Sequence, residues 1–208
     1  MNELSSYLRR TLQAAWQNGY GDEVRRTAIV APVLALIGFG SAWFFPQVSE
    51  NVLRFFQQAI DAAGIGAITE TKGVASAIFA NNLTAAFSAI MWGLVPFVYL
   101  TALPLGFNFF LIGVMGAYYA QSGKGIGAYL VGILPHGIFE LPALVFFCAA
   151  GLYLCSRVTA RVRGSKEVRI VRALSEVSTI FLYLVLPLLA VAALVETYVT
   201  PHLLSLIV

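Results

Sequence analysis

From Val74 to Ser122 the chain runs 49 residues without an aspartate, glutamate, lysine or arginine. So long an apolar stretch exceeds the roughly 20 residues that one helix needs to cross a bilayer. It fits two crossings, with the turn near Thr101-Ala102-Leu103-Pro104. Composition points the same way, since 59% of the 208 residues are hydrophobic and 11% are charged, against about 25% charged in a soluble domain. Too few polar groups are present to cover a globule in water, so lipid is the expected solvent.

Three more apolar runs complete the pattern, and they predict an all-α polytopic membrane protein with five transmembrane helices. The spans fall at about 27–45, 74–99, 104–121, 126–155 and 178–199. Residues 1–26 form an amphipathic N-terminal segment ahead of a five-span membrane domain, 27–208. Leu4, Leu8, Leu12 and Ala15-Trp16 recur at helical spacing opposite Arg9, Arg10, Gln13 and Gln17, which suits a helix lying on the membrane surface. Asn18-Gly19-Tyr20-Gly21 ends it. A second surface helix is predicted over 48–63, with Val48, Val52, Phe55-Phe56, Ala59-Ile60 and Ala63 on one face, stopped by Gly64 and Gly66. Lys124, between Gly123 and Gly125, marks the loop before span four.

Ten of the thirteen Lys and Arg residues fall in two clusters, 9–26 and 157–172. Cytoplasmic loops collect such residues, so both clusters belong inside and only Arg54, Lys72 and Lys124 outside. The expected protein is multi-pass, with its N-terminus in the cytoplasm and its C-terminus outside. The basic balance is therefore a matter of helix orientation and membrane lipid, and no nucleic acid partner is expected.

Against this apolar background a few polar residues stand out. His136 and Glu140 are four apart on span four and share a helix face. Span two carries Asn81-Asn82, and Glu196 lies near the outer end of span five. From the helical rise, Asn81 is about 10 Å, His136 about 14 Å and Glu196 about 5 Å below the outer end of their spans. Groups at such depth cost about 2.5 kcal/mol or more each, so these residues are expected to meet in one polar cluster. Pro135, Gly137 and Pro142 bracket the pair and predict a break in the fourth span, with a half-helix starting at His136.

Three readings of the cluster stay open. It is a structural polar knot that fixes helix register, an ion, proton or small-solute site, or a metal centre using His136, Glu140 and Glu196. His202 reads as a surface residue rather than a further ligand. No soluble catalytic constellation is present and no cofactor is expected. Gly123-Lys124-Gly125-Ile126-Gly127 lacks the Lys-Ser/Thr of a phosphate loop. Cys148 and Cys155, seven apart on one helix, are about 10 Å apart along the axis and read as packing residues. Small residues such as Gly113 and Ala117 read as helix contacts. The charged stretch before Thr27 is too long for the n-region of a cleavable signal peptide.

Three motifs carry a resemblance. Ala80-Asn81-Asn82, Leu134-Pro135-His136-Gly137-Ile138-Phe139-Glu140-Leu141-Pro142-Ala143 and Val195-Glu196-Thr197-Tyr198-Val199-Thr200-Pro201 resemble the stage II sporulation protein M family. That family tends to show asparagine followed by glycine where this chain has Asn108-Phe109. The resemblance implies a non-enzymatic membrane scaffold for envelope remodelling. Its implied partners in a spore former are peptidoglycan hydrolases resembling stage II sporulation proteins D and P, with pairing of two copies into a homodimer also admitted. A small transporter or channel built on the polar cluster is the alternative, and an intramembrane metal hydrolase a third.

Overall fold

The computed structural model of the protein describes residues 3–63, 71–123 and 125–206. All regular structure among these residues is helical. In chain order the helices are α1 (Glu3–Ala15), α2 (Gly21–Phe44), α3 (Gln47–Ala63), α4 (Thr71–Trp92), α5 (Ala102–Gln121), α6 (Ile126–Val162), α7 (Ile170–Ile180), α8 (Leu186–Leu194) and α9 (Thr200–Leu204). Five-residue π-helical turns, Trp16–Tyr20, Phe181–Val185 and Val195–Val199, join α1 to α2, α7 to α8 and α8 to α9. Five helical stretches are long and apolar enough to cross a membrane: Ser5–Phe44, Val74–Trp92, Ala102–Gln121, Ile126–Val162 and Ile170–Leu204. The all-α, five-span expectation holds. The predicted stops at Gly64 and Gly66, the loop residue Lys124, and the side chains of Phe56 and Ile60 lie outside the described residues.

Two features depart from the sequence pattern. The predicted break of span four is absent, because α6 continues through Pro135, Gly137 and Pro142 and on to Val162. A proline removes one backbone donor, but in lipid neighbouring groups re-satisfy the freed carbonyl and the helix remains the cheapest path. In contrast, α4 stops at Trp92 although the apolar run continues. Residues 93–101 are irregular, with Phe97 at φ 70° and Tyr99 at φ 51°. Apolarity cannot distinguish a helix from an apolar connection, so the sequence pattern overran this boundary.

The chain divides into two compact units, and each of the five long stretches contributes a segment to both. One unit comprises the chain up to Val30, Asn82–Leu105 and Phe139–Leu189. In it, Leu144, Phe147, Tyr153 and Leu154 of α6 are buried, with Ala86, Ala89 and Ile90 of α4 and Ala173, Val177 and Ile180 of α7. The irregular connection is held by specific bonds. Phe97 N–H donates to Thr159 Oγ1 at 2.9 Å, Thr101 Oγ1 donates to the Ala89 carbonyl at 2.8 Å, and Cys155 Sγ reaches the Val95 carbonyl at 3.3 Å. Arg163 lies over the Phe97 ring, 5.4 Å from its centre. Cys148 and Cys155 are buried free thiols, as packing residues should be.

The second unit comprises 31–81, Gly106–Ile138 and the chain from Ala190. Its core of Ala42, Val114 and Ala117 is covered by Phe39, Val48, Val52 and Phe110. Here α2 and α5 meet backbone to backbone, since a Cβ on Gly38 would strike the Phe110 carbonyl and one on Gly113 the Ala35 carbonyl. Gln121 Nε2 donates to the Trp43 carbonyl at 3.0 Å, satisfying one of the last acceptors of α2.

Close approach makes opposite predictions for two glycines. At Gly151 a Cβ would meet the Thr101 side chain and the Ala89 carbonyl, whereas at Gly106 nothing lies near it. Gly151→Ala should lower stability by about 1–3 kcal/mol through overpacking. Gly106→Ala should leave it unchanged or raise it by up to about 1 kcal/mol through helix propensity. Unfolding midpoints of the two variants in detergent check both signs.

Candidate functional site

Four of the predicted polar residues have partners or near neighbours within their own unit. In the first unit, Asn82 Nδ2 on α4 donates to Glu140 Oε1 on α6 at 3.4 Å, a long hydrogen bond. The amide that meets the carboxylate is thus Asn82. Asn81, one step round the helix, is exposed.

In the second unit, His136 Nδ1 on α6 lies 3.4 Å from Thr200 Oγ1 at the start of α9. The Thr200 hydroxyl donates to the Val195 carbonyl at 3.3 Å. Glu196 sits in the π-helical turn Val195–Val199. One of its carboxylate oxygens and a His136 ring nitrogen come within 4.8 Å of each other. Single π-turns inside helices recur at functional positions because the extra residue re-aims the side chains around it. Thr197 Oγ1 donates to the Ala193 carbonyl at 2.8 Å.

Glu140 follows His136 by one turn of α6, so the two side chains project from the same stripe. Within the second unit, His136 and Glu196 offer one imidazole and one carboxylate, ligand types that a divalent transition metal accepts.

The sequence reading passed over a second charged centre, which lies in the first unit. Glu176 of α7, its side chain 3% exposed, receives three donors. Asn18 Nδ2 donates to Oε1 at 2.8 Å, Arg172 Nε donates to the same oxygen at 3.1 Å, and the Tyr153 hydroxyl donates to Oε2. Tyr153 stacks edge-on against Tyr20, with centroids 6.3 Å apart, and the Tyr20 hydroxyl donates to the Phe146 carbonyl at 3.2 Å. The knot fastens the turn after α1 to α6 and α7. Gly19, at φ 111°, lets the chain bend between Asn18 and Tyr20. The available signal was the spacing of Arg172 and Glu176, an i, i+4 pair at the head of an apolar run.

Five long apolar helices with ionisable and amide side chains set inside them define a polytopic helical membrane protein. Residues 28–201 match the family described as stage II sporulation protein M, and the chain belongs to that family. A similar protein is an uncharacterized one from Methanocaldococcus jannaschii, 30% identical over 128 residues, which covers 60% of this chain and 69% of the relative. No solved structure matches the chain.

Glu176 is the more decisive of the two centres for stability. Glu176→Ala leaves the Asn18 amide and the Tyr153 hydroxyl without this acceptor and, at about 1–3 kcal/mol for each stranded group, should cost more than the loss of any single donor. Tyr153→Phe, which loses one bond, should cost about 1–3 kcal/mol. Thermal unfolding of the purified protein checks the ranking, and equal effects would deny that Glu176 is the hub.

Proposed function

We propose that this chain is a non-enzymatic assembly subunit in the bacterial cytoplasmic membrane, N-terminus inside, which holds wall-degrading partners at the outer face. Partners resembling stage II sporulation proteins D and P are those its family membership favours. The observation that carries the reading is α3. Val48 and Val52 anchor this amphipathic helix on the core of its unit, while Phe55 remains 57% exposed. An anchored helix that still offers an aromatic side chain is suited to receive a partner. The basic clusters at 9–26 and 157–172 support the orientation, which sets α3 outside.

A second reading rests on His136, Glu140 and Glu196, three ionisable groups inside spans. A small transporter or channel would use them to pass a proton or solute. The two readings part on Glu140→Gln, which keeps shape and hydrogen bonding but removes the charge. A scaffold should tolerate it; a proton- or ion-handling site should not.

Two measurements test the assembly reading. Cysteines introduced at Gln57 and Ser165 should label from opposite sides of the membrane, Gln57 from outside. Phe55→Asp should release co-purifying wall hydrolases by about tenfold or more, as expected for a central aromatic anchor worth about 2 kcal/mol, while insertion is unchanged. Solute-dependent stabilisation with no partner recovered would instead favour transport.

A further inference from the structure

A groove of about 290 Å³ opens between α1 and α7, within the first unit and apart from the residues discussed for assembly or transport. Tyr7, Arg10, Thr11, Arg172, Ser175 and Glu176 line it. Its two guanidiniums are held in place from behind. Arg10 donates from Nε to the Ser6 carbonyl at 3.2 Å, and Arg172 donates from Nε to Glu176. Arg172 nevertheless remains 61% exposed, so its terminal nitrogens are presented outward. The Glu176 carboxylate is hydrogen-bonded to Asn18, Tyr153 and Arg172, which spreads its charge into the protein. Three hydroxyls complete the lining, and Tyr7 and Ser175 bridge the groove with oxygens 3.3 Å apart. Arg172 also lies in the first turn of α7, whose N-terminus has no side-chain cap and carries the positive end of the helix dipole.

We propose that this groove binds a phosphate group, as the headgroup phosphate of an anionic lipid or as a free phosphate. The chemistry follows from the lining. The remaining N–H donors of two guanidiniums match phosphate oxygens, hydroxyls can donate to the other oxygens, and the helix terminus adds favourable potential. A cation is disfavoured, because two arginines face it against one carboxylate that is already hydrogen-bonded. An apolar ligand would strand the three hydroxyls. Either phosphate source would clamp α1 onto α7, next to the Glu176 knot that fastens the turn after α1.

The test uses the full chain in nanodiscs of phosphatidylcholine doped with phosphatidylglycerol, with bound lipid counted by native mass spectrometry. Arg10→Gln should weaken phosphatidylglycerol binding about fivefold, the effect of one well-placed cation. Arg9→Gln removes the same charge from the same helix but outside the lining, and should change binding less than twofold. Thr11→Phe, which fills the groove without altering charge, should weaken binding as Arg10→Gln does. Inorganic phosphate that competes at millimolar concentration identifies a soluble source; binding that resists it identifies the lipid. Equal losses from the Arg9 and Arg10 variants, or unaltered binding in the Thr11 variant, would overturn the groove and leave only diffuse surface charge.

Discussion

Inside hydrocarbon a backbone or side-chain polar group has no water to turn to, so each must find a partner within the protein. This one demand accounts for most of what is irregular in the chain. The connection after Trp92 is tied down by Thr159, Thr101 and Cys155 because its own carbonyls and amides have left the helical ladder. At the π-helical turn Val195–Val199, the hydroxyls of Thr197 and Thr200 donate to the Ala193 and Val195 carbonyls. The same demand explains why Pro135 and Pro142 do not break α6. A full break would free several backbone groups at once, whereas a proline within a continuing helix frees one or two.

Lipid is as apolar as leucine, so burying more leucine gains little, and contact in the membrane is won by close approach. Both units show it. Gly93 and Gly151 bring α4 and α6 together in one, and Gly38 and Gly113 bring α2 and α5 together in the other. Large apolar side chains instead face outward, as Leu36 and Ile37 of α2 do. A bilayer solvates those faces as readily as a core would. Small residues at these contacts are accordingly sensitive to enlargement.

The sequence made the five spans legible because a charge-free run has a single explanation at that length. It also announced the bend after α1, since Asn18-Gly19 offers a left-handed position, which Gly19 adopts. Helix ends within apolar stretches were not legible. Nothing in composition separates residues 93–101 from the α4 residues before them, and the tethers that make the connection stable come from α6, far along the chain. At the candidate site, Asn82, His136 and Glu196 were visible as polar residues in apolar company. Thr200 was not, because threonine is common in membrane helices and its role depends on the π-turn beside it. Glu176 was missed for a related reason. Its nearest sequence signal, Arg172, explains one of three bonds, and the other two come from Asn18 and Tyr153, at 158 and 23 residues' separation.

Two kinds of intramembrane carboxylate therefore coexist in one chain, and their hydrogen bonds separate them. Glu176 accepts an amide at 2.8 Å, a guanidinium at 3.1 Å and a phenol, and these three donors from separate parts of the chain make it a fastening. The contact between Asn82 and Glu140 is 3.4 Å, and that between His136 and Thr200 is also 3.4 Å, each near the limit at which a hydrogen bond holds its geometry. The two proposed readings of function differ in whether the charge of Glu140 is used, whereas the part Glu176 plays is visible in its bonds, which fasten Asn18, Tyr153 and Arg172 to one carboxylate.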